Sequence, residues 1–255
     1  MSPIGRRMFG AALALATGLT GWLTSSFLIT AALGATWLPE APSIPAAAIL
    51  DGLVVAIDPG HGGYDPGVLL QGREGKVREC DLNLAICLSL RDILARAGAK
   101  VILTRTADVD LTRPGDETLY GSVARGDLCR RAQVAMAGGP DLFISVHCNA
   151  FPESQYRGSQ CFYLEDGSPA SRRLAEAIQG ELARVTGETD RMANRRQGIF
   201  LLKEVPVPAA TVELGFLSNP RDLELLTNPD YQKLCAMAIF FGICRFALPE
   251  PTPAG

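Results

Sequence analysis

Two histidines, His61 and His147, are the only imidazoles in this 255-residue chain, and each ends an apolar run rich in β-branched residues. The first run, Leu53–Ile57 (LVVAI), reads as a strand buried on both faces. Asp58 and Pro59 are expected to end its pairing, because proline has no N–H to donate, and Gly60, Gly62 and Gly63 allow a tight turn around His61. The second run, Asp141–His147 (DLFISVH), delivers the other histidine at its carboxyl end, the edge of an α/β sheet where ligands bind. One such histidine reads as a structural hydrogen-bonder, but two at the ends of separate buried strands point to a shared site. Glu213 ends a further apolar run, Ala209–Leu214 (AATVEL), where a carboxylate is expensive to bury without a partner. Glu79 opens a helical segment, where alone it does no more than favour the helix dipole. No GxGxxG or GxxxxGK[ST] pattern supports a phosphate cradle.

The elements that must position these residues follow from periodicity. Tyr64–Arg78 reads as a polar loop, and Leu82, Ile86, Leu90, Ile93 and Ala97 mark one face of a helix over Cys80–Ala97. Lys100–Arg105 is a strand, Thr106–Gly126 a long connection, and Leu128–Ala137 a short helix. Cys148 alternates away from His147 and belongs to the core. Strand Gln160–Leu164 and helix Ala170–Thr186 come next, followed by the loop Glu188–Gly198 with Arg191, Arg195 and Arg196, either solvated charge or an anion-binding rim. Ile199–Leu202 and Ala209–Leu214 read as strands and Asp230–Phe246 as a helix. The fold class is therefore α/β: a single three-layer domain with a mixed, twisted sheet of about six strands flanked by helices, spanning residues 51–248.

Outside that domain, Arg6 and Arg7 precede an uncharged stretch from Met8 to Pro39, longer than the ~20 residues that cross a bilayer. Its length and the positive flank predict a retained transmembrane helix over residues 1–38, with the domain outside the cytoplasm; a cleaved signal is the alternative. Residues 39–50 form a Pro/Ala-rich linker and 249–255 a disordered tail. A net charge of −3 gives no general attraction to nucleic acid. The seven cysteines are odd in number and lack CxxC spacing, so they read as buried thiols.

Taken in order, AIDPGHGGYDPG, Glu79 with NLAICLSL, SVHCNA and VELGFLSNP resemble the zinc-dependent N-acetylmuramoyl-L-alanine amidases of bacterial peptidoglycan, over Leu53–Phe246. TRTADVDL, GDLCRRAQVA and TDRMANRRQGIFLLKEVPVPAATVELGFLSNP are closer still to the germination-specific spore-cortex branch. The resemblance implies one Zn2+ held by His61, Glu79 and His147, with Glu213 as general base. It implies cleavage between the lactyl group of N-acetylmuramic acid and L-alanine, leading to muramic δ-lactam in the cortex. Peptidoglycan is the implied partner, and an activating protein is a further candidate. Arg191 is the candidate contact for a stem-peptide carboxylate, Arg105, Arg131 and Asn149 are open between scaffold and substrate roles, and Cys80 and Cys148 depart from the family's usual flanking residues. A zinc peptidase acting on the stem peptide, a two-histidine, one-carboxylate iron oxygenase and a non-catalytic wall-binding module are the rival readings.

Overall fold

The computed structural model describes residues 49–72 and 75–248. The expected membrane helix, most of the linker and the tail lie outside the described residues, and among the described residues no helix is long and apolar enough to cross a membrane.

Among the described residues, eight strands and seven helices follow one another as β1 (Val54–Pro59), β2 (Leu69–Gly72), β3 (Gly75–Arg78), α1 (Glu79–Arg96), β4 (Lys100–Leu103), α2 (Asp116–Tyr120), α3 (Val123–Ala137) and β5 (Leu142–Asn149), then β6 (Gln160–Leu164), α4 (Pro169–Thr186), β7 (Asn194–Arg196), α5 (Phe200–Glu204), β8 (Ala209–Phe216), α6 (Pro220–Leu226) and α7 (Pro229–Ala247). Six strands form one mixed sheet in the order β4-β1-β5-β8-β6-β7, in which only the β8–β6 pair is antiparallel. This is the expected fold class with a different membership.

Strand alternation divides the central strands between two cores. Val55 and Ile57, Leu142, Ile144, Val146 and Cys148, and Ala210, Val212 and Leu214 pack against α1, α4 and α7. The intervening Ala56, Phe143 and Ala209 pack against α3 and α5. On that second face the side chains turn polar toward the carboxyl ends of the strands, through Asp58, Ser145 and Thr211, and apolar packing gives way to a site.

Several expectations are corrected. Ile199–Leu202 is not a strand; Phe200–Glu204 is helical, because Leu201, Leu202 and Val205 bury together against Ala132, Ala135 and Phe143, and four apolar residues carry no period of their own. The sixth strand is Asn194–Arg196, inside the expected loop. The polar loop Tyr64–Arg78 holds the β2–β3 hairpin, with Leu69 opposite Arg78. The long connection contains α2 and the first turn of α3, which Ser122 caps by accepting from the Arg125 N–H. Asp58 and Pro59 do not end pairing: they continue β1 opposite Ser145 and Val146. The β4 ladder stops at Ile57, so the missing N–H of Pro59 falls beyond it. Helix α6, not anticipated, is capped by the Asn219 side chain with Pro220 at its first position.

Helices α4 and α7 approach at Gly242, where an added Cβ would lie 2.5 Å from the Ile178 Cα and 2.9 Å from its nitrogen. Gly→Ala inside a helix ordinarily gains about 1 kcal/mol. Here backbone blocks the methyl, so Gly242→Ala is expected to lose about 1–3 kcal/mol in urea unfolding. A gain in stability would show that the helices can separate freely.

Candidate metal centre

Three ligand atoms converge at the carboxyl edge of the sheet. The His61 Nε2 lies 3.1 Å and the His147 Nδ1 3.2 Å from one oxygen of Glu79, Oε1. The two rings stand edge to face with centroids 4.9 Å apart. All three donor atoms lie within 4.8 Å of one another, a span that one cation can bridge.

Each ligand is held by a different device. His61 has φ 61, the one non-glycine residue with positive φ among the described residues. Such strain persists only where the surroundings impose it. They do so here through Arg131, which donates from Nη2 to the His61 carbonyl at 2.7 Å and from Nη1 to the Pro59 carbonyl at 2.8 Å. Arg105 donates to the carbonyls of Pro59, Gly60 and Cys80. Asp65 lies 2.7 Å from the His61 Nδ1, so a proton there leaves Nε2 as the electron-pair donor. Glu79 is the first residue of α1, and its carboxylate accepts from the backbone N–H groups of Val68 and Cys148 at 3.0 and 3.1 Å. The β2–β3 hairpin thus lies directly against a ligand. His147 rides on β5 with its ring over Gly60, where any Cβ would overlap the imidazole.

Charge and burial set the protonation of the group. Burial would raise the Glu79 carboxyl, but the hydrogen bonds and charges of His147 and His61 outweigh it and hold it well below the usual carboxylate range. Burial would lower His61, but Glu79 and then Asp65 lift it to about 9. Glu213 goes the other way. Burial pushes its carboxyl up, with Glu79 adding to the rise and His147 opposing it. Its Oε2 is buried with no hydrogen-bond partner among the described residues. The register places Glu213 directly beside His147 on the neighbouring strand, with Gln160 on its other side. The donor set of two imidazoles and a carboxylate fits a divalent transition ion with an open position, and an unpaired carboxylate beside it is equipped to take a proton.

The structure thus brings His61, Glu79, His147 and Glu213 to one rim, and it decides the roles left open for their neighbours. Arg131 and Arg105 are scaffold residues, 1 % and 3 % exposed. Asn149 holds a turn, accepting from the Ala150 N–H through its side chain and from Leu217 through its carbonyl. Cys148 is a core residue, and all seven cysteines are free thiols. Arg191 stands near the rim with Nε donating to the Arg157 carbonyl, Nη1 donating to Gln160 Oε1 and its guanidinium 4.9 Å from the Phe216 ring. Sequence reasoning missed Asp65, the orienting partner of His61, although its spacing of four residues on a glycine-rich turn was visible. It missed Asp58 as an anchor too, having taken it for a strand terminator.

Comparison with known proteins follows the geometry. The family described as N-acetylmuramoyl-L-alanine amidase matches residues 55–245. A germination-specific N-acetylmuramoyl-L-alanine amidase of Bacillus subtilis (strain 168) is 38% identical over 204 residues, covering 80% of this chain and 84% of that protein. Among solved structures, the CwlD amidase from Clostridioides difficile, in complex with the GerS lipoprotein, has a TM-score of 0.70 at 36% identity, covering 76% of this chain and 98% of that one. The catalytic domain of CwlV, an N-acetylmuramoyl-L-alanine amidase from Bacillus (Paenibacillus) polymyxa var. colistinus, has a TM-score of 0.64 at 30% identity, covering 76% and 97%.

Two outcomes are expected. Asp58 is buried and accepts from Arg131, Thr104 and Ser145. Burial would raise its carboxyl, but Arg131 first and then Thr104 hold it below its ordinary value of 3.8. Asp58→Ala should therefore cost about 3–5 kcal/mol near neutrality. Because the folded pKa lies below the unfolded one, this contribution is complete above about pH 4 and fades as pH falls through the folded value. Unfolding curves of both proteins should thus converge in acid, and a gap that stays constant with pH would refute the anchoring role. Gly60→Ala should keep the fold but weaken metal binding about 10–100-fold by displacing the His147 ring. Unchanged affinity in a competition titration would show that the ring is not held there.

Proposed function

The chain belongs to the N-acetylmuramoyl-L-alanine amidase family, and from that premise we propose that it hydrolyses the amide between the lactyl group of N-acetylmuramic acid and the L-alanine of the peptidoglycan stem peptide, with Zn2+ held by His61, Glu79 and His147. The single observation that supports this most is the convergence of three ligand atoms beside a buried carboxylate oxygen that no other described group engages. When bound, zinc would supply Lewis-acid chemistry, polarising the amide carbonyl and stabilising the negative charge that develops on its oxygen.

The residues of the chain do the rest. Glu213, raised by burial and ionised above that raised value, accepts a proton from the attacking water as its oxygen bonds to the lactyl carbonyl carbon. It then delivers that proton to the alanine nitrogen as the C–N bond breaks. The products are a lactyl carboxylate and a free L-alanine amine. Asp65 keeps the His61 ring in its ligating tautomer throughout, and the backbone donors on Glu79 hold that carboxylate in place. Arg191 adds positive charge to the rim on the side of Gln160.

The 38% identity to a germination-specific amidase supports a spore-cortex role, with cleavage preparing muramic δ-lactam. A protein partner is part of the reading, because the CwlD relative is in complex with a lipoprotein. The uncharged stretch Met8–Pro39 would tether the domain to the membrane on its outer side.

Glu213→Gln is nearly isosteric and should retain metal and melting temperature while turnover falls by about 10²–10⁴-fold. Mass spectrometry of purified muropeptides should show new lactyl carboxyl groups with the native enzyme alone and none in a chelated control. Peptide fragments in their place would assign the site to a peptidase.

A further inference from the structure

The face of the sheet that carries Glu213 continues outward to the sheet edge. Beside Glu213 lies Gln160 on β6. Two residues along the same strand face comes Phe162, and beyond it β7 contributes Asn194 opposite Phe162 and Arg196 opposite Leu164. Paired residues on parallel strands point to the same side, so Arg196 shares the face of Gln160, Phe162 and Glu213. Its guanidinium lies 5.2 Å from the centroid of the Phe162 ring, an arrangement that leaves the planar donor fork available.

Arg196 also differs from its cationic neighbours. Arg195 pairs with Glu165 at 3.6 Å, and Gln197 donates to the same carboxylate. Arg191 spends Nε and Nη1 on Arg157 and Gln160. The side chain of Arg196 is exposed and has no ion-pair or hydrogen-bond partner among the described residues.

We infer that Arg196, stacked on Phe162, is a carboxylate-binding subsite on the peptide side of the site, and that it makes the enzyme select stem peptides with a free carboxylate beyond the scissile amide. This rests on the amidase reading above. The stem peptide is an oligopeptide with free carboxylates, the group that a guanidinium fork grips in two parallel hydrogen bonds. Reach is consistent: Phe162, over which the guanidinium stacks, lies one strand spacing across from Glu213 and two residues along, a diagonal of about 8 Å, and an extended peptide advances about 3.3 Å per residue. The carboxylate received at Arg196 is therefore that of the second or third residue from the cleaved bond.

The test compares two N-acetylmuramoyl-peptide substrates that differ only in whether the carboxyl group of the second or third residue is free or amidated. The zinc-loaded native enzyme and the Arg196→Met and Arg196→Lys variants are assayed on both. The native enzyme should favour the free acid by about 10–100-fold in kcat/KM, mostly through KM. Arg196→Met should cleave both substrates with a preference within about 3-fold, losing ground only on the acid, at an unchanged melting temperature. Arg196→Lys should regain part of the preference. A native enzyme that cleaves both substrates equally, or a Met variant that keeps the full preference, overturns the subsite and leaves the amidase reading intact. Failure of the native enzyme to release lactyl carboxyl groups from either substrate overturns both.

Discussion

A guanidinium sealed beneath the turn that carries His61 is the constraint on which the rest of the structure depends. Arg131 is 1 % exposed, and a buried charge must be paired and fully hydrogen-bonded. Asp58 and Asp127 neutralise it, and its remaining donors go to the carbonyls of Pro59 and His61. One buried ion network therefore joins β1 to α3 and holds a histidine in a backbone conformation that it would not otherwise adopt. The adjoining Arg105 secures Pro59 and Gly60 together with the start of α1, where Glu79 lies. The turn that carries His61 is bound to both arginines, and the helix that carries Glu79 to Arg105. The positions of two of the three converging donors are thus set by groups outside the cluster.

The rim shows how environment separates chemically similar groups. Glu79 and Glu213 are both carboxylates withdrawn from solvent at the same edge of the sheet, and burial acts on both in the same direction. Glu79 is surrounded by two imidazoles and two backbone N–H donors, so its ionised form wins. Glu213 is pushed up by burial, with the negative charge of Glu79 adding to the rise, and one of its oxygens has no partner among the described residues, so its proton is held more tightly. Opposed shifts in neighbouring carboxyl groups suit them to different tasks, the one to holding a cation and the other to exchanging protons.

The expected and observed elements agree best where a long segment had a clear period. Helices α1, α4 and α7 and strands β5, β6 and β8 lie within a few residues of their sequence-derived spans. Agreement fails in short segments whose conformation depends on what lies above or below them. Ile199–Leu202 has the apolar content of a strand, yet its residues bury as a helical turn against α3. Asn194–Arg196 is wholly exposed and carries two arginines, and it is a strand only because β6 offers it an edge. The expected count of six sheet strands was met by exchanging these two segments.

By itself the amino-acid sequence determined the two histidines, their placement at the carboxyl ends of buried strands, and the family to which four ordered motifs belong. These properties are carried by residue identity and local period, which the chain holds before it folds. Tertiary structure alone decided that Arg105 and Arg131 are scaffold rather than substrate contacts, that Asp65 orients His61, and that Arg196, unlike Arg191 and Arg195, has no side-chain hydrogen-bond or ion-pair partner among the described residues. Each of those facts depends on distances between residues remote in the chain. A guanidinium looks the same in a sequence whether it is buried against carbonyls, paired across a strand or exposed at the edge of a sheet.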